Sequence, residues 1–188
     1  MSELSPCTVN IAGGSFFDPL APTVGMIDPR GLLHHLAMLS RWGGNVQYPY
    51  SVLQHSILVA ANLERTEDKI YGLLHDMPEA LLGADVISPT KLLLIRLGAD
   101  VPAIERQYMA LICAHLDLPT PDAETRRRVH EADMRARATE LRDVVANPTG
   151  IVCPAPPYAQ AIRFLPWDKV LEQGTQALDS YLYFARTA

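Results

Sequence analysis

The chain has 188 residues, 48% of them hydrophobic and 20% charged, which is enough for one domain with a buried core; no apolar run reaches the roughly 18 residues of a membrane span. Its net charge of -5 gives no general attraction to nucleic acid or to an anionic membrane, so any phosphate-binding charge must be local. Three scattered cysteines without a C-x-x-C (Cys7, Cys113 and Cys153) argue against a disulfide framework or zinc knuckle, and "MSELSPCTVN" lacks the basic and apolar regions of a secretion signal, so a soluble cytoplasmic protein is expected.

The pattern is helical nearly throughout. After an irregular entry, "GGSFFDPLAP", the segment "DPRGLLHHLAMLSRW" has Asp28 as N-cap and Pro29 at the first helical position. Leu32, Leu33, Leu36 and Leu39 or Ser40 keep the helical period, and Gly43-Gly44 ends the element. "YSVLQHSILVAANLE" opens on a capping-box pair, Ser51 and Gln54. Thr66 opens "TEDKIYGLLHD", which runs to His75 and Asp76. Pro78 lacks an N–H and clashes one turn back, so the helix breaks after Asp76, and Pro78 falls in the first turn of a short helix closed by Gly83. Ser88 and Pro89 start "SPTKLLLIRL". Two long helices follow, over about 102–117 and 122–146. A proline-rich stretch, with a short strand-like piece at Ile151 to Cys153, leads to a last helix beginning near Asp168. The expectation is an all-α, single-domain helical bundle over 1–188, in which 148–188 form a C-terminal loop and helix.

A divalent ion needs several side chains with free lone pairs converging from different parts of a fold. His55 lies one turn into a helix with apolar neighbours on its face, His75 and Asp76 end the next helix, and Asp133 sits in the middle of a long one. Adjacent helical residues point about 100° apart, so His75 and Asp76 share one ion only at a helix end. On spacing alone each has a plainer explanation. His55 taken alone reads first as a core histidine, Asp133 as an i,i+4 partner of Arg137, and His130 as a rival ligand.

Three stretches, "YSVLQHSILVA", "LLHDMPEALLGADVISPTK" and "EADMRARATE", resemble in order and spacing the HD-domain metal-dependent phosphohydrolases, in the branch of the 5'-deoxynucleotidases and phage dATP triphosphohydrolases. "FFDPLAP", "IDPRGLLHHLAMLSRWGG" and "LLIRLGADVPAIERQ" resemble the same branch, so the likeness covers about residues 14–145. The resemblance implies His55, His75, Asp76 and Asp133 as ligands of a divalent ion (Mn, Co, Zn, Fe, Ni or Mg). It implies Glu79 facing the reacting water, Asp85 near the reacting phosphate, Arg41 and Lys91 on phosphate, and Trp42 beside the nucleoside. Ser88-Pro89-Thr90-Lys91, at a helix start, offers free backbone donors and an ammonium to the phosphate.

The implied reaction is hydrolysis at the α-phosphorus, with the 5'-oxygen of the nucleoside leaving and Glu79 relaying its proton. A dNTP, dATP-like, gives deoxynucleoside and triphosphate, and is the favoured substrate. The β and γ groups then call for extra basic residues, with Lys91, Arg96 and the run Arg126 to Arg128 as candidates, or for a second metal. The alternatives are a 5'-deoxynucleotidase acting on dNMPs and a catalytically silent nucleotide-binding module. His34, His35 and His115 read as structural, and "RRR" as an exposed helix face. Leu178, Tyr181, Leu182 and Phe184 either complete the core or form a contact of the homo-oligomer that the resemblance implies.

Overall fold

In the computed structural model, which describes residues 8–187, the chain enters as a short hairpin of β1 (Val9–Ile11) paired antiparallel with β2 (Ser15–Phe17). Cys7 and most of "MSELSPCTVN" lie outside the described residues. The hairpin stands where an irregular entry was expected. Three-residue strands are too short to show alternation, and contacts made far along the chain hold the turn. The Ala12 N–H donates to His35 Nε2 at 3.2 Å. A Cβ at Gly31 would lie 2.4 Å from the Ala12 carbonyl oxygen, so only glycine lets the hairpin lie this close to the first helix.

That helix, α1 (Pro29–Met38), begins as the sequence predicts: Asp28 accepts from the Gly31 N–H at 3.1 Å, with Pro29 at the first position. It ends earlier than expected. Leu39 and Ser40 turn extended and pair with the chain entering the next helix: Arg41 N–H donates to Tyr50 O at 2.9 Å, and Val52 N–H donates to Leu39 O at 3.0 Å. Beyond this bridge, Trp42 (φ 60°) and Gly43 (φ 58°) take left-handed backbone conformations.

The following helix, α2 (Val52–Ala61), makes half of its expected capping box. Ser51 Oγ accepts from the Gln54 N–H at 3.2 Å, but the Gln54 amide reaches away to Arg163 O at 2.8 Å. Next come α3 (Thr66–Leu74) and α4 (Met77–Leu82), separated by the expected break, with Pro78 in the first turn of α4 and Gly83 at φ 74° closing it. The remaining helices are α5 (Ser88–Arg96), α6 (Val101–His115), α7 (Ala123–Asp143, capped by Asp122) and α8 (Trp167–Thr187). Ile151 to Cys153 form no strand; Cys153 turns its thiol to Met134 O instead.

α2 sits at the centre, packed on α1, α3, α7 and α8. Leu32, Leu36, Leu53, Leu73, Met77 and Ile112 are fully buried in one cluster, and each such aliphatic side chain stabilises the fold by about 1.5–3 kcal/mol. α8 completes this core through Val170 and Leu178, and Gly174 lets it approach so closely that a Cβ there would lie 2.8 Å from Leu53 Cδ2. Tyr181 and Leu182 pack on the same cluster, while Phe184 is exposed. The architecture is all-α with one small two-stranded sheet. Among the described residues no helix is long and apolar enough to cross a membrane, and Cys113 and Cys153 are both free thiols.

Candidate metal centre

The interruption between α3 and α4 is what brings two neighbouring side chains to one place. His75 still has helical dihedrals (φ -61°, ψ -34°), whereas Asp76 (φ -95°, ψ 3°) has left the helix to start α4. Both turn toward His55, which is fully buried on α2. His55 Nε2 lies 3.3 Å from His75 Nε2 and 3.6 Å from Asp76 Oδ2, and each of the three residues brings one donor atom within 4.8 Å of the others. The other ring nitrogens are committed elsewhere: His75 Nδ1 donates to Gly72 O at 2.8 Å and His55 Nδ1 to Glu140 Oε1 at 2.6 Å, which aims both Nε2 lone pairs at the shared space.

Asp133, from α7, places Oδ1 3.1 Å from His55 Nε2, though it is not one of the mutually close trio. Asp85 Oδ2 and Glu79 Oε2 are buried without any hydrogen-bond partner. Buried carboxylate oxygens are costly unless a cation or donor meets them. Two aimed imidazoles beside unpartnered carboxylate oxygens are a donor set that fits a first-row divalent ion.

Arg41 is the nearest protein cation. Its guanidinium lies 3.2 Å from His55 Nε2, 3.5 Å from Asp76, 3.6 Å from Glu140, and 3.7 Å from both Asp85 and Asp133. Burial disfavours its charge, but Glu140, Asp76, Asp133 and Asp85 together raise its pKa above the ordinary value. Burial and Arg41 likewise lower the His55 pKa, yet Glu140 and Asp133 outweigh them and carry it up to about 10. As a metal ligand His55 must be neutral, so binding an ion releases a proton there. Asp76 and Asp133 are held below the usual carboxylate range; burial opposes this, and the neighbouring imidazoles and Arg41 prevail.

Trp42 lies at the edge of the same group. Its indole N–H donates to Glu140 Oε2 at 2.8 Å, and the Arg137 guanidinium sits 5.2 Å from the ring centroid. Arg137 also donates to Ser88 Oγ at 3.1 Å, so it serves Trp42 and α5 rather than pairing with Asp133. A left-handed backbone on a bulky residue stores roughly 1–2 kcal/mol, which the indole bond and the two following glycines help to hold.

Glu79 and Lys91 meet each other. Lys91 Nζ lies 2.9 Å from Glu79 Oε1 and 2.8 Å from Glu105 Oε1, an arrangement in which the ammonium bridges two carboxylates. Burial first and the Asp76 charge second push the Glu79 carboxyl up to about 8, against the pull of Lys91. The free backbone donors expected at the start of α5 are mostly spent. Pro89 has no N–H, and the Thr90 and Lys91 N–H groups both donate to Ile87 O, at 2.8 and 3.0 Å.

Beside the centre an open cavity of about 640 Å³ lies between α3, α6 and α7. His75 and Asp133 line it at the metal-centre end, and Arg106, Arg126 and His130 add basic groups along its wall. His130, the rival ligand by spacing, faces this cavity rather than the trio. The arginine run therefore does not form one face. Arg126 lines the cavity, Arg127 pairs with Glu124 and Glu131 in solvent, and Arg128 grips the buried Asp68 at 2.6 Å. His35 and His115 bond backbone groups of the entry segment, as structural histidines do.

Sequence reading missed Glu140, Glu105 and Arg106. Glu140 carried a signal: it lies seven residues after Asp133, two helical turns along the same face of α7. The other two reach the centre only through the packing of α6, which no local pattern encodes. The chain matches no protein-family model and no curated protein sequence.

Proposed function

We propose that this protein is a metal-dependent deoxynucleotide phosphohydrolase acting at the α-phosphate, with a dNTP, dATP-like, as substrate and deoxynucleoside and triphosphate as products. The observation that carries the reading is the convergence of His55, His75 and Asp76, with Asp133 against His55, Asp85 against Arg41, and Glu79 within electrostatic reach of Asp76. His55, His75, Asp76 and Asp133 would hold the ion, which when bound supplies an acidified water and a positive charge on the phosphate.

The chain's own residues then have defined work. Arg41 offers a planar fork to phosphate oxygens at the centre. Glu79, with a pKa near 8 and one oxygen free of hydrogen bonds, is suited to hold a proton and release it to the departing 5'-oxygen. Asp85, whose Oδ1 faces Arg41, keeps that guanidinium oriented. Trp42 presents an indole edge to the nucleoside.

The triphosphate reading gains support from the cavity. A single phosphate needs no more than the centre and Arg41, whereas β and γ groups need cationic walls, and Arg106 and Arg126 line the space beyond His75 and Asp133. The test is incubation with a panel of dNTPs and dNMPs plus Mn, Co or Mg, with products identified. Triphosphate release is expected. Orthophosphate release from dNMPs alone replaces the substrate, and binding without turnover leaves a nucleotide-binding module.

A further inference from the structure

Glu140 is fully buried on α7, and its two oxygens go to two different parts of the site. Oε1 accepts from His55 Nδ1 at 2.6 Å and Oε2 accepts from Trp42 Nε1 at 2.8 Å. A buried carboxylate needs strong partners, and this one has both lone-pair faces committed, with the Arg41 guanidinium 3.6 Å away to balance its charge. His55 and Trp42 do not otherwise share a hydrogen-bond partner among the described contacts.

We propose that Glu140 is a positioning residue that fixes the orientation of the metal-binding His55 ring and of the Trp42 indole through one carboxylate, and so couples cation binding to the substrate wall. This rests on the metal-centre reading above. Two consequences follow from the geometry. With Nδ1 held to Oε1, the His55 ring can offer only Nε2 to an ion, so the ligand atom and its direction are set before any ion arrives. With Nε1 held to Oε2, the indole stays on its left-handed backbone at the mouth of the centre. A shift of the carboxylate moves both, so an ion on His55 and a nucleotide beside Trp42 each sense the other's presence, reciprocally.

Glu140→Gln is the test variant, since it keeps the shape while replacing one acceptor oxygen by an NH2 group that cannot accept, leaving a single carbonyl oxygen for the two donors. Trp42→Phe is the companion, removing the indole donor without touching His55. Zinc affinity is measured by competition with a chelating dye, and the His55 Nδ1–H and Trp42 Nε1–H resonances are followed by nitrogen-edited NMR with and without zinc. Zinc affinity is expected to fall about 10–100-fold in Glu140→Gln. The His55 Nδ1–H resonance is expected to move in Trp42→Phe, because the two side chains share Glu140 as a hydrogen-bond partner. A role in folding alone would not give that second result. If the wild-type chain takes up zinc, but Glu140→Gln binds it as tightly and the His55 resonance ignores Trp42→Phe, the proposal is overturned while the metal centre stands. If the wild-type chain takes up neither zinc nor Mn²⁺, the metal centre itself is refuted and this proposal goes with it.

Discussion

The Lys91 ammonium lies 2.9 Å from Glu79 Oε1, so a residue expected on phosphate and a residue expected at the proton relay are each other's partners. The pair joins α5, which has no buried residue, to α4 beside the metal centre. Lys91 can reach a phosphate only by loosening its hold on Glu79, and doing so removes the one influence of that pair that favours the ionised carboxylate. Phosphate binding and protonation of Glu79 therefore reinforce each other. Replacing Lys91 with Met should lower kcat/KM by about 10-fold or more, a charge-assisted hydrogen bond contributing about 1.5–3 kcal/mol. Steady-state kinetics with a dNTP check this, and unchanged constants would remove Lys91 from the substrate's path.

Glu79 also makes a stability prediction independent of turnover. Its pKa is raised from 4.5 to about 8, chiefly by burial. A carboxyl raised in the folded state is fully favourable to folding below the unfolded value, and that contribution is lost as pH climbs through the folded value. Metal-free wild-type protein should therefore lose melting temperature relative to Glu79→Gln between about pH 5 and about pH 9. Parallel melting curves across that window would show that Glu79 titrates normally. With metal bound, the proposed activity of Glu79→Gln should show kcat depressed by about 100-fold or more, the usual scale for a lost acid–base group.

At Gly31 a local rule is reversed by packing. Alanine normally favours a helix interior over glycine by about 1 kcal/mol. Here the added methyl would meet the Ala12 carbonyl at 2.4 Å and Ile11 Cγ2 at 2.5 Å. Gly31→Ala should destabilise by about 1–3 kcal/mol instead, as overpacked sites do. Urea unfolding gives the sign directly.

Under the proposed function, the cavity wall should separate the two nucleotide substrates. Arg126→Gln and Arg106→Gln should raise KM for a dNTP by about 10-fold while leaving any dNMP turnover nearly unchanged, because only the longer anion reaches them. An equal effect on both substrates would place these arginines outside the polyphosphate path.

Much of the fold was legible where chemistry is local. The Asp28 cap, Pro29, the break before Pro78 and Gly83 at φ 74° all follow from which residues can satisfy or lack a backbone group. The meeting of His55, His75 and Asp76 was legible only through the resemblance of their stretches to a known family, since on spacing alone a histidine on an apolar helix face reads as a core residue and a His-Asp pair carries little. The end of α1 was not. Leu39 and Ser40 keep helical periodicity, and only their pairing with Tyr50 to Val52, unseen in any local window, pulls them out of the helix. The reach of Lys91 was hidden for a similar reason, because its second partner, Glu105, arrives on α6. Glu140 was within reach of the helical period from Asp133, but a lone glutamate seven residues on reads as surface until Trp42 and His55 are seen to converge on it.

The central claim is that His55, His75 and Asp76 together bind a divalent cation. Calorimetric titration of Mn²⁺ into chelator-stripped protein tests it most directly. Saturable binding by the wild-type chain, abolished in His75→Ala and Asp76→Ala variants that keep the wild-type helical spectrum, is the predicted result. Absence of binding by the wild-type chain, or binding that both variants retain unchanged, would contradict it.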